Sequence, residues 1–220
     1  VAAGWMVGLQ RAAAELERAS GTLAVQMGGP VGARGPQIAA RVAATLGLAE
    51  PLLAWHTERT RIVQLAAALG GLAGTAAKIA RDVALHAQTE VGELREGVAG
   101  RGGSSAMAHK RNPVAAVSVL ACAGRVPGLV ATILAGMAGE HERAAGAWHA
   151  EWETTSDLLR LVGAAASWAR SMLEGLEVDA DRMAANLAAA APAVAAAADP
   201  AAHLGEAAEL VDRALAAHEG

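Results

Sequence analysis

A chain of 220 residues that is 54% hydrophobic yet holds no Phe and no Tyr, and only five Trp, must fill its interior with Ala, Leu, Val and Met. Side chains this small let helix backbones approach closely, whereas a β-sandwich leans on β-branched and aromatic residues. The apolar residues keep helical time. In the stretch from Glu58 to Glu93, Ile62, Leu65, Ala66, Leu69, Leu72, Ala73, Ala76, Ile79, Val83 and Leu85 form one stripe, which predicts a long helix. Gly70, Gly71 and Gly74 interrupt it, each at about 1 kcal/mol against Ala, and such glycines mark a close crossing with a neighbouring helix.

Further helices are predicted from Val1 to about Ala24, from Pro36 to a stop at Gly47, and from Pro113 to about Met137 with a kink at Pro127. Others follow from Trp152 to Leu173, after the cap Asp179, and from Asp199-Pro200 onward. Gln26–Pro36 and Gly97–Asn112 are glycine-rich loops, and Pro51–Trp55 breaks the pattern. No strand-like alternation of useful length occurs. The reading is an all-α bundle of long helices, with the Glu58–Glu93 and Pro113–Met137 helices antiparallel. Their apolar circumference exceeds what one chain can cover, which calls for further subunits.

The charge balance of 18 basic to 22 acidic residues lacks the basic surplus of a nucleic-acid binder. A single cysteine, Cys122 in an apolar helical run, excludes an internal disulfide, reads as a small buried hydrophobe and fits a reducing cytoplasm. The longest apolar run, Pro113–Met137, is interrupted by Arg125 and Pro127, and no basic leader opens the chain, so no membrane segment is expected. The start at Val1, already within a helical pattern, is what a fragment would show. The alanine-rich run Ala184–Ala198 around Pro192 suggests no chemistry.

Chemistry concentrates in Gly102-Gly103-Ser104-Ser105-Ala106-Met107-Ala108-His109-Lys110-Arg111-Asn112-Pro113. A glycine hinge precedes two hydroxyls, then two cations and an amide directly before a helix. The helix N-terminus and Lys110 together would form an anion site, and a serine beside it could exchange a proton with a carbanion. A solvated Ser/Gly loop with a helix cap is the other reading of the same residues.

This run resembles the GSSxMPxKxNP signature loop of the fumarase/aspartase superfamily, with Gly103, Ser104, Ser105, Met107, Lys110, Asn112 and Pro113 in register. Ala108 stands where that family has proline, which loosens the backbone. The resemblance implies a long-helix bundle whose central helices pack in a homotetramer core. It makes Ser104 the general base beside a substrate carboxylate, and Ser105, Met107, Lys110 and Asn112 the residues around the substrate. It implies no metal and no organic cofactor, a small polycarboxylate substrate, and neither nucleic-acid nor membrane partners. A central bundle domain over 1–176 and a shortened C-terminal helical domain over 177–220 follow from the same likeness.

Three more segments are similar to the cycloisomerase branch of that superfamily: Trp55-His56-Thr57-Glu58-Arg59; Glu140–Arg143 with Trp148–Thr154; and Gly175–Asp179 with Arg182-Met183 and Asn186-Leu187. They imply that Trp55, His56, Arg59 and His149 line the substrate. Val117 stands where many of the lyases carry a glutamate. Trp148–Trp152 stands where adenylosuccinate lyases have a Ser-Ser-x-Glu-Arg segment, and an indole is no phosphate partner. An adenylosuccinate-type C–N lyase or an inactive helical scaffold remain the alternatives.

His56 and His149 either line the site or cap structure, and His109 is either a loop cation or solvated. His86, His203 and His218 read as surface or core residues. No histidine pair has the spacing of a zinc helix. Trp55, Trp148 and Trp152 divide between core and pocket. Of the three regions from which the superfamily builds each site, only the signature loop is found; a Thr-Ser-x-Asp segment and a histidine block are not.

Overall fold

The computed structural model describes residues 1–33, 35–98, 100–103, 111–190 and 201–219. Seven α-helices account for nearly all of its regular structure: α1 (Ala2–Gly21), α2 (Pro36–Leu46), α3 (Thr60–His86), α4 (Val114–Ala135), α5 (Ala147–Glu174), α6 (Ala180–Ala190) and α7 (Ala207–Glu219). The all-α class and the long-helix architecture stand as read.

Several boundaries moved, each for a local reason. α3 stops at His86 rather than Glu93. Gly92 turns the chain at φ 63°, and the Glu93 N–H donates back to the His86 carbonyl at 2.9 Å. The released segment forms a three-residue strand, β1 (Leu94–Glu96). It pairs antiparallel with β2 (Leu176–Val178), Leu94 facing Val178. Strands this short leave no period to read. α5 begins at Ala147, directly after Gly146, instead of at Trp152. The last helix begins at Ala207, while Asp199-Pro200 lies outside the described residues. Two ends were read correctly. Gly47 closes α2 in the left-handed region at φ 65°, and Asp179 Oδ1 accepts the Arg182 N–H at 2.9 Å to cap α6.

The chain divides into two compact units. The first comprises Val1–Gln10, Thr75–Ala121 and Ala164–Gly220; the second, Arg11–Gly74 and Cys122–Gly163. In the first, Ala76, Ile79, Ala80 and Val83 of α3 bury themselves against Ala115, Ala116 and Val119 of α4, Leu94, and Ala169 and Met172 of α5. Trp5 covers this core from α1, and its Nε1 donates to Asp82 at 2.9 Å. Eight alanine, valine and isoleucine side chains replace the missing large rings, so the helices can lie close.

In the second unit Ala66, Leu69 and Ala73 of α3 are buried with Ala123, Val126 and Ile133 of α4, and with Leu158 and Val162 of α5. The expected close crossing narrows to one glycine. A Cβ on Gly70 would sit 3.2 Å from the Val130 side chain, whereas Gly71 and Gly74 face open space. The start of α3 meets the end of α4 here, as antiparallel helices do.

α3 and α4 are long and apolar enough to cross a membrane by length and composition, which Arg125 and Pro127 do not prevent. Core helices pass the same test, and these two supply the buried side chains just named. Cys122 is half-buried.

Candidate active site

In the first unit the structure closes the neck of the signature loop. The Asn112 N–H donates to the Gly102 carbonyl at 2.8 Å, and Asn112 Nδ2 reaches the same oxygen at 3.3 Å. Gly102 is in the left-handed region at φ 78°, and a Cβ on it would come within 2.3 Å of the Asn112 carbonyl oxygen. Only glycine fits there. Ser104, Ser105, Met107, His109 and Lys110 lie outside the described residues, between the two sides of this neck.

The open anion site expected at the α4 N-terminus is not open. Pro113 precedes α4 and has no side-chain oxygen to cap it. The Glu96 carboxylate does so from β1, accepting the N–H groups of Ala115 at 3.0 Å and Ala116 at 2.9 Å. A carboxylate there suits the positive end of the helix dipole. At the helix end the chain itself supplies the anion that the sequence reading expected there, while Lys110, the other half of that expectation, lies outside the described residues. Arg101 balances it, with Nη2 3.3 Å from Glu96 Oε2. Arg101 also donates to Ser171 Oγ at 2.9 Å and lies over the Trp168 ring at 5.6 Å. Beside the neck, Arg95, Glu96, Gly97, Val98, Arg111 and Glu177 line a cleft of about 320 Å³.

The second unit gathers the other expected residues. His56 packs on Trp148 with ring centroids 4.7 Å apart; Trp148 meets His149 at 5.4 Å and Trp152 at 5.2 Å, and His149 meets Trp152 at 4.8 Å. His56 is buried, whereas His149 is exposed and Trp152 is 54% exposed, so Trp152 is not a core residue. His149 Nδ1 accepts the Gly146 N–H at 3.4 Å, which in the neutral ring leaves the proton on Nε2, a donor suited to an anion. Trp55 is tethered by Nε1 to the Val25 carbonyl at 3.0 Å, with Arg59 and Arg61 over its ring at 5.2 and 5.3 Å.

Arg59 is buried and fully engaged. Nε and Nη2 hold the two oxygens of Glu151 at 3.0 and 2.5 Å, and Nη1 donates to the His56 carbonyl at 3.3 Å. This fork fixes the Trp55–Arg59 segment against the start of α5 and so sets His56 beside Trp148. Nearby, Glu140 takes backbone N–H groups, its own and that of Ala145 (2.6 Å), which holds its carboxyl below the ordinary carboxylate range. His141 and Ala144 turn this segment with φ of 47° and 45°.

The structure therefore brings Trp55, His56, Arg59 and His149 together in one unit and places Asn112 in the other. Sequence reasoning gave no role to Glu96, Arg101 or Glu151. The one available signal was Pro113, a helix start that cannot cap itself. Among the described residues no cluster of His, Cys, Asp and Glu could hold a metal ion.

A family profile described as lyase matches residues 3–128. A relative from Pseudomonas aeruginosa, named 3-carboxy-cis,cis-muconate cycloisomerase, is 53% identical over 170 residues, which cover 77% of this chain and 36% of that protein. A Streptomyces davaonensis relative, named nitrosuccinate lyase, is 43% identical over 84% of this chain and 42% of its own length. The crystal structure of 3-carboxy-cis,cis-muconate lactonizing enzyme from Pseudomonas putida superposes with a TM-score of 0.77 at 42% identity, over 98% of this chain and 52% of that one. The chain spans about half or less of the length of each. The profile covers more than half of the chain, and its signature run, helices and solved neighbour agree, so the chain belongs to this lyase family, the fumarase/aspartase superfamily.

Proposed function

We propose that the protein is a 3-carboxy-cis,cis-muconate cycloisomerase, interconverting carboxymuconate and a carboxymuconolactone. In the forward direction an internal carboxylate oxygen adds to a double bond, and the π pair moves to the carbon beside another carboxylate. That carbon is then protonated. In reverse Ser104 removes the proton as general base, and Lys110 and Asn112 stabilise the negative charge that spreads into the carboxylate. Ser105, Met107, Trp55, His56 and His149 surround the substrate, and Arg59 holds His56 in place. No cofactor takes part.

The observation that carries this reading is the sequence run Gly103–Pro113, beside the Gly102–Asn112 hydrogen bond of the described residues. Its choice among superfamily reactions rests on the Trp148, His149 and Trp152 cluster, where a nucleotide-binding relative needs hydroxyls and a guanidinium. We place the protein in the cytoplasm as a homotetramer. Val117 and Leu134 of α4 and Leu159 of α5 are each about half exposed, apolar side chains that other copies would cover.

The test follows the loss of muconate ultraviolet absorbance with the natural full-length protein, alongside light scattering for its mass. Turnover of carboxymuconate by a tetramer is the expected result. Release of nitrite from nitrosuccinate, or cleavage of adenylosuccinate, with no action on carboxymuconate would move the protein to a C–N lyase. Inactivity on all three would leave the scaffold reading.

A further inference from the structure

We propose that Glu96 is the positioning residue of the signature loop, a role that rests on the proposed lyase-type chemistry of that loop. One carboxylate, 4% exposed, meets both arms of the loop. On the first arm it faces the Arg101 guanidinium at 3.3 Å; on the second it accepts the Ala115 and Ala116 N–H groups that open α4. One residue beyond Arg101, Gly102 begins the neck, and Asn112, two residues before α4, closes it. The separation of the two arms is thus fixed by a single side chain, and with it the place from which Asn112 addresses the substrate.

No local substitute for this carboxylate is at hand. Pro113 offers no side-chain cap, and among the described residues Arg101 Nε and Nη2 are buried without a hydrogen-bond partner, so Glu96 supplies their compensating charge. Replacing it by glutamine keeps the volume but turns one oxygen into an N–H₂ that cannot accept from the helix, and leaves the buried guanidinium uncompensated. The arms should then separate without loss of the bundle. Glu96 itself touches no reacting atom. It acts through the neck.

The experiment compares Glu96→Gln with Asp179→Ala in the natural full-length protein; the latter removes an unrelated helix cap at α6. Thermal midpoints, kcat and KM on carboxymuconate, and hydrogen exchange of the Asn112 amide are measured. Glu96→Gln is expected to lower kcat at least tenfold with KM within threefold, and to speed Asn112 exchange at least tenfold. Asp179→Ala should lower the midpoint and change neither. A Glu96→Gln enzyme with kcat within twofold of wild type overturns the proposal, as do kcat losses in both variants that simply follow their midpoints. If Glu96→Gln does not fold, Glu96→Asp, which keeps the charge but shortens the reach, is judged by the same criteria. If the wild-type protein does not turn over carboxymuconate, the functional reading fails separately. Asn112 exchange then decides alone: unchanged exchange overturns the role of Glu96, and faster exchange sustains it.

Discussion

Arg59 and Glu151, 92 residues apart in sequence, meet as a buried fork of two hydrogen bonds and exclude nearly all solvent. Removing either partner strands a charge in the interior. Arg59→Ala or Glu151→Ala should each destabilise the protein by about 3–5 kcal/mol. The double replacement Arg59→Ala with Glu151→Ala should lose clearly less than the sum of the single changes. Urea unfolding of the four proteins measures this directly. Additive losses would mean that the two side chains do not share one interaction.

Ser104→Ala removes one hydroxyl from a glycine-rich loop, and stability should change by no more than about 0.5 kcal/mol. The rate of cycloisomerisation should fall by about 10²-fold or more, because general acid–base groups contribute roughly 10²–10⁴. Lys110→Ala should instead weaken binding and slow turnover together, since its charge faces a carboxylate in both ground and transition states. Steady-state kinetics on the full-length protein separates the two. A Ser104→Ala enzyme with most of its rate intact would rule out the proposed base.

At Gly102 a methyl group meets two obstacles: a left-handed backbone and the Asn112 carbonyl 2.3 Å from where the Cβ would stand. Gly102→Ala is expected to cost about 1–3 kcal/mol and to lower turnover through the opened neck. Thermal unfolding with a parallel rate assay checks both. Gly71→Ala, whose Cβ faces open space, should be neutral or slightly stabilising.

These contrasts show what the sequence could reveal. The helices were legible because apolar residues recur at helical spacing over 20 or more positions in α1, α3, α4 and α5. Gly47 and Asp179 announced their caps because caps are local. Glu96 was invisible because it caps a helix 19 residues further on, and Pro113 signals that a cap must come from elsewhere without saying from where. The Arg59–Glu151 fork was hidden likewise; both residues lay in recognised segments, but their pairing is a product of helix packing. The helix end of the expected anion site was misread for a related reason. Periodicity locates a helix N-terminus and does not say what already occupies it.

Glu93 offers a pH test. Hydrogen bonds from Asn186 Nδ2 (2.9 Å) and from His86 Nδ1 (2.7 Å) favour its ionised form and hold its pKa below the ordinary carboxylate value. A carboxyl depressed on folding contributes stability that is full above its unfolded pKa of about 4.3 and fades as pH falls through the lower folded value. The thermal midpoint should therefore drop as pH falls below the ordinary carboxylate range of about 4.3. Glu93→Gln should start from a lower midpoint at pH 7 and decline less steeply over that fall. Parallel slopes for the two proteins would show that Glu93 does not govern the acid limb.

The β1–β2 pair has a consequence for how the molecule comes into being. Leu94, Arg95 and Glu96 find their partners only at Val178, Glu177 and Leu176, across two whole helices. Each helix can nucleate from nearby residues within microseconds, but this ladder closes a chain loop of about eighty residues and bears the entropy of that closure. On a ribosome the strand that holds Glu96 leaves the tunnel long before its partner has been made. The frame beneath the signature loop is thus among the last features to assemble, and the polypeptide gains its helices well before it gains the means to do chemistry.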